Sequence, residues 1–129
     1  SYTKAIQPVP GLVVRINGAV LYASLEDNPS AGAFIENLSK ASVTVALQED
    51  TGFAKAGTLP WELPRSDEEI TSMPGDVILD KEGRIAVCYG QGTGELTCLA
   101  RLGNTLNEKL PELSADGDIT AEFSIEWSE

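Results

Sequence analysis

Three groups of residues in this chain have types and spacing that could do chemistry: a glycine run, three acidic clusters and two cysteines. Gly90-Gln91-Gly92-Thr93-Gly94 has the glycine density of a phosphate-binding loop. Such a loop needs a lysine and a hydroxyl residue leading into a helix. Glu95 and Leu96 follow instead, so the segment reads as a turn into a strand. Asp80-Lys81-Glu82-Gly83 and Asp116-Gly117-Asp118 set acidic residues beside glycine, but neither has the spaced ligands and closing glutamate of a calcium loop. Both read as turns. Asp67-Glu68-Glu69 reads as a solvated charge run. The sequence contains no histidine, which removes Ser-His-Asp triads, Cys-His dyads and histidine-ligated metals together. No Ser-x-x-Lys motif offers another base, and no spacing singles out a carboxylate pair with divergent pKa values. No catalytic residue, metal ligand or cofactor is therefore assigned.

Cys88 and Cys98 flank the glycine run. Ile85, Val87 and Tyr89 form an apolar stripe, which puts Cys88 on the opposite side of its strand. On the partner strand Leu96, Cys98, Ala100 and Leu102 compete with Leu99 for the core face. If the even-numbered set is the core set, the cysteines point apart, and two reduced thiols are the expectation.

These groups must be positioned by a chain of 129 residues, a length that fits one domain. Twenty acidic against nine basic side chains give a net charge of −11. That balance argues against non-specific nucleic-acid binding and against anionic membrane surfaces. No window has the length and apolarity of a membrane span, and none resembles a secretory signal. Ser1 in place of an initiator methionine is expected to mark a processed or shortened N-terminus, so compartment is left open with a slight leaning to the cytoplasm.

Gly11–Arg15 and Ile16 lead into Asn17-Gly18, the pair that suits a tight hairpin turn, and Ala19–Leu25 returns. Asn28 and Pro29 have the chemistry of a helix cap and first turn, and Ala31, Phe34, Ile35 and Leu38 recur at helical spacing up to Lys40. Asn37-Leu38-Ser39 matches a glycosylation acceptor by chance, lying mid-helix. Ser42–Glu49 alternates as a half-buried strand. From Thr51 to Gly75 the pattern lapses, and Pro60, Pro64 and Pro74 argue against regular helix or interior strand. Asp76–Leu79 and Arg84–Tyr89 form a second hairpin, Glu95–Leu102 another strand, Asn107–Leu113 a short helix, and Ile119–Trp127 a closing strand with Ile119, Ala121, Phe123, Ile125 and Trp127 on one face. Roughly seven or eight short strands and two short helices argue for a barrel or sandwich.

Read in order, the segments Ile16-Asn17-Gly18, Leu25-Glu26-Asp27-Asn28-Pro29-Ser30-Ala31 with Phe34, Glu49-Asp50, Leu59-Pro60, Pro74-Gly75-Asp76-Val77-Ile78-Leu79, Ile85-Ala86-Val87-Cys88-Tyr89-Gly90 and Leu99-Ala100-Arg101-Leu102-Gly103 resemble the small bacterial cyclophilin-like fold family. The resemblance spans about residues 11–127 and implies a closed, mainly β barrel of about eight strands with two short helices over its ends. It departs from the family at Leu38-Ser39-Lys40, where a Leu-Pro often ends the helix. It also lacks the Phe-His-Arg and Gln-Gly-Gly-Asp segments that supply the isomerase site of true cyclophilins, so fold does not carry activity with it.

Three functions compete: a peptide- or small-ligand-binding module, a peptidyl-prolyl isomerase working through an apolar pocket and an arginine donor, and an accessory domain of a larger assembly. Arg15, Arg65, Arg84 and Arg101 are the available donors. A site is expected beside the 51–75 loop, with Trp61 as the leading contact, Phe53 second, Arg101 as donor (catalytic if isomerisation occurs) and Tyr89 as hydroxyl. The plain alternative is that Trp61 plugs a barrel end and Tyr89 is ordinary core. Val13, Val45, Val87 and Phe123 are expected to be buried.

Overall fold

Asn17 and Gly18 both take positive φ, 50° and 80°, so the chain reverses tightly and β1 (Val9–Ile16) pairs with β2 (Ala19–Leu25) with Ile16 opposite Ala19. The computed structural model describes residues 7–50, 52–102, 113 and 117–128. After β2 comes α1 (Pro29–Lys40). Its start is fixed as the residue types require: Asn28 Oδ1 accepts the Ala31 N–H at 2.8 Å, and Pro29 occupies the first turn. Asn28 Nδ2 also donates to the Cys98 carbonyl at 2.9 Å, tying the cap to the barrel wall.

The remaining strands are β3 (Val43–Asp50), β4 (Ala54–Gly57), β5 (Glu68–Ser72), β6 (Asp76–Leu79), β7 (Ile85–Cys88), β8 (Gly92–Leu102) and β9 (Ile119–Ser128). Every pairing is antiparallel, in the order β2-β1-β9-β3-β4-β7-β6-β8. A short pairing of Ala23–Leu25 with Leu102–Ala100 joins β8 back to β2 and closes an eight-stranded barrel. β5 is outside this ring and, among the described residues, pairs only with the first half of β8, Glu68 opposite Leu96 through Ser72 opposite Gly92.

Alternation sends Leu12, Val14, Ile16, Val45, Leu47, Val77, Leu79, Ile85, Val87, Leu99 and Phe123 into the interior. α1 lays Phe34 and Leu38 over one end. Phe34 meets Phe123 with ring centroids 6.2 Å apart and Trp61 at 6.0 Å. Full burial of a side chain such as Phe34 stabilises by about 1.5–3 kcal/mol. Val13, Val45, Val87 and Phe123 are all buried, as expected from their central strand positions.

The 51–75 segment differs from its sequence reading, since it holds β4 and β5. β4 is four residues of small or amphipathic type, Ala-Lys-Ala-Gly, all buried between β3 and β7. It has no apolar alternation to reveal it. Lys55 sits in this strand with its Nζ donating to the Gly117 carbonyl at 2.8 Å. Gly57 is glycine for a steric reason: a Cβ there would stand 2.1 Å from the Ala46 carbonyl oxygen and 2.6 Å from Val45 Cγ1. The three prolines fall between the strands rather than within them. The Asp80–Gly83 turn is confirmed, with Asp80 Oδ1 accepting from the Glu82 and Arg84 amides at 3.0 and 2.9 Å and Gly83 at φ 78°. The glycine run does not remain a turn, because β8 already begins at Gly92. One helix, not two, stands among the described residues; apart from Leu113, which is buried, the expected second helix lies outside them. On β9, Ile119, Ala121 and Phe123 are buried, but Ile125 is half-buried and Trp127 is exposed beyond the barrel rim.

Candidate functional site

β5 and the first half of β8 form a two-stranded ribbon that crosses the outer face of β4, β7 and β6. Ile70 and Leu96 on its underside pack on Ala54, Ala56, Ile78, Ala86 and Cys88, making a second, smaller apolar cluster outside the barrel. The glycines of the ribbon make this approach feasible. A Cβ on Gly92 would lie 2.6–2.8 Å from three ring atoms of Phe53, so the bare backbone is what the ring rests against. Phe53 is anchored from below, its carbonyl accepting the Tyr89 and Gly90 amides at 2.9 and 3.0 Å.

A recess opens on each side of the ribbon, and Leu96 borders both. The recess on the β6–β7 side encloses about 240 Å³. Ala54, Ile78 and Ala86 floor it, Phe53 and Leu96 wall it, and Asp50, Asp80, Lys81 and Glu82 form its rim. The cleft on the α1 side is larger, about 490 Å³, and polar, lined by Glu26, Arg65, Asp67, Glu68 and Arg101 with Cys98 and Ile70 beneath. Both of its arginines are already engaged. Arg101 Nε donates to Glu26 at 2.7 Å and Nη1 to Asp76 at 3.2 Å. Arg65 bonds Asp67 at 2.6 Å, and Thr97 Oγ1 donates to the same carboxylate at 2.8 Å. The Arg65 and Thr97 hydrogen bonds hold Asp67 below its ordinary pKa. Burial does the reverse to Asp76, raising its pKa despite the Met73 amide and the half-exposed Arg101.

The four sequence candidates do not share a cavity. Phe53 walls the apolar recess. Trp61 is half-buried on Phe34 at the barrel end and borders a separate hollow with Leu59, Leu63, Lys81 and Arg84. Arg101 lines the polar cleft across the ribbon from Phe53. Tyr89 donates its hydroxyl to Glu49, and burial first, then that carboxylate, pushes its pKa up to about 12. Trp61 thus packs on Phe34 while still bordering open space, and Tyr89 is half-buried against the edge of the core. Sequence reasoning missed Leu96, Ile78, Ala86 and Gly94. The available signal was the alternation Gly92-Thr93-Gly94-Glu95 inside a strand, since glycine at period two marks a close approach on one face.

Both cysteines are free. Neither competing set is the core set alone, and both cysteines lie on the outer side of the wall. Leu99 faces the interior, a register shift between Val77 and Ile78 follows, and Ala100 and Leu102 return to the core. Cys88 and Cys98 are kept apart by β6, which lies between their strands. Burial is the largest influence on each and pushes both thiols up to about 12, so neither is a ready nucleophile. All four arginines are engaged, Arg15 with Glu122 at 3.2 Å and Arg84 with Asp50, Asp80 and Glu82 at 3.1, 2.8 and 3.4 Å. Among the described residues no group of three or more His, Cys, Asp or Glu side chains is placed to hold a metal.

A family model described as the cyclophilin-like family matches residues 14–124. No curated protein matches the chain.

Proposed function

Because this chain belongs to the cyclophilin-like family, we propose that it is a binding module of that family for a peptide or small ligand, with its site in the apolar recess beside the ribbon. One observation carries the reading: Phe53, Ala54, Ile78, Ala86 and Leu96 converge from four strands and a turn on an open recess of side-chain size, with charge only at its rim. Apolar lining with a few polar groups at the edge is the usual composition of a ligand site. The isomerase reading asks for a hydrogen-bond donor beside such a recess. Arg101 lies across the ribbon, engaged by Glu26 and Asp76, so binding without turnover is the better supported of the two.

Gly94→Leu provides the test. Gly94 borders the recess, has ordinary φ, and a Cβ on it would meet nothing closer than Leu96 Cγ at 3.9 Å. Leucine there fills the recess without distorting the strand. Selection of a random-peptide display library on the native protein is expected to enrich sequences that the Gly94→Leu protein does not retain. Absence of enrichment, or equal retention by the variant, would overturn the assignment.

A further inference from the structure

Resting on the recess assignment above, we propose how its ligand is held: an extended, basic segment of a partner protein adds as a third strand along the open edge of β8 at residues 92–96, lowering an apolar side chain into the recess. β8 has β5 on one edge over Gly92–Leu96, while β6 reaches its other edge only from Thr97 onward, where Leu79 stands opposite. Asp80 then turns the chain away. Among the described residues no strand occupies the edge left over, and the recess lies directly beside it, bordered by Thr93, Gly94 and Leu96 on one side and Asp80, Lys81 and Glu82 on the other.

An open edge is usually blunted by proline, lysine, a bulge or a covering loop. Residues 92–96 carry no proline and no lysine, and the register shift of the neighbouring pairing lies beyond them at Val77/Ile78. Gly94 leaves the middle of this stretch without a side chain on the recess face, between the Phe53 ring that covers Gly92 and the side chain of Leu96, so an incoming backbone meets little steric opposition there. Strand addition draws affinity from main-chain hydrogen bonds and selectivity from pockets for alternate side chains. The recess is one such pocket, and it borders this edge.

Charge sets the partner's sign. Glu69 and Glu95 stand directly opposite each other on the outward face of the ribbon, a like-charge pair that destabilises it when nothing intervenes. On the recess rim Asp50, Asp80 and Glu82 share Arg84, and Lys81 is the one cation among the described residues lining the recess, so three carboxylates face two cations and the balance stays negative. A strand whose outward residues are lysine or arginine places a cation beside Glu95, while its inward residues face the recess. Period two delivers both from a simple alternation.

The probe is a capped heptapeptide alternating lysine and valine, titrated into isotopically labelled protein and followed by amide NMR. Binding is expected to shift the amides of 93–96 and to slow exchange of those that gain a partner. Two alternately N-methylated forms of the peptide, one blocking each of its edges, separate backbone pairing from side-chain binding: one form should bind at least tenfold more weakly and the other should not. A glutamate-valine peptide should also lose at least tenfold. Failure of the parent peptide to bind, equal binding by both methylated forms, or equal binding by the glutamate peptide would overturn strand addition. Library ligands that Gly94→Leu excludes but N-methylation leaves unaffected would overturn it while leaving the binding-module assignment standing.

Discussion

Gly92 and Gly94 are two residues apart on β8, face the same way and both have ordinary φ, yet alanine should act on them with opposite sign. At Gly94 the new methyl has room, 3.9 Å from its nearest neighbour. Its main effect is on the unfolded chain, which loses freedom, and a gain of about 0.4–1 kcal/mol follows. At Gly92 the methyl would stand 2.6–2.8 Å from the ring of Phe53. The ring must swing out, giving up its partial burial under the ribbon, which costs about 1–2 kcal/mol on the usual scale for a half-buried aromatic. Both variants share the unfolded-state gain, so they should differ by the cost of displacing the ring, about 1–2 kcal/mol, a separation of roughly 0.5–1 M in urea midpoint for a protein of this size. In a Phe53→Ala background the Gly92→Ala penalty should vanish, giving a coupling of about 1–2 kcal/mol in the double-mutant cycle. Urea unfolding followed by circular dichroism measures all of these. Equal midpoints for the two glycine variants, or a penalty that persists without the ring, would refute the packing of the ribbon on Phe53.

Gly57→Ala should be far more damaging, because its methyl meets the Ala46 backbone carbonyl, which cannot rotate away; a loss above about 4 kcal/mol is expected, read as insoluble expression or absence of a cooperative melt. With both thiols pushed up to about 12, iodoacetamide at pH 8 should label Cys88 and Cys98 in the folded protein at least tenfold more slowly than an ordinary cysteine; labelling at the free-thiol rate would contradict the burial of Cys88 and the partial burial of Cys98. Asp67 and Asp76 should show opposite pH linkage. The lowered pKa of Asp67 means stability present above about pH 4 and lost as pH falls through its folded value, so Asp67→Asn should matter at neutral pH and converge with the native protein in acid. Asp76 binds its proton more tightly when folded, so its carboxylate costs stability once pH rises from about 4 through the raised value; the advantage of the native protein over Asp76→Asn should shrink across that rise in thermal melts.

The parts of this fold legible in the sequence were those with local causes. The Asn17-Gly18 turn and the Asn28-Pro29 helix start are each decided within four residues, and both formed where expected. β4 was illegible because its burial comes entirely from its neighbours: Lys55 is buried at 1% exposure in a strand whose own residues are mostly small. The ribbon was illegible for a related reason, since glycine at positions 92 and 94 reads as a turn until Phe53 is placed beneath it. Of the candidate site only Phe53 was anticipated within the recess, and for its aromatic bulk. The other walls come from β4, β6, β7 and β8, and no spacing along the chain reports that convergence.

The position of β9 has a consequence for synthesis. It lies between β1 and β3, pairing Val14 with Phe123 on one edge and Val43 with Phe123 on the other. A nascent chain can make the β1–β2 hairpin as soon as those residues emerge, but the slot beside it stays vacant until residues 119–128 leave the ribosome. Until then two apolar strand edges are bare, and they invite association with other chains. Folding of this barrel on the ribosome is therefore held incomplete until β9 arrives, and fragments that stop short of β9 should depend on chaperones or aggregate.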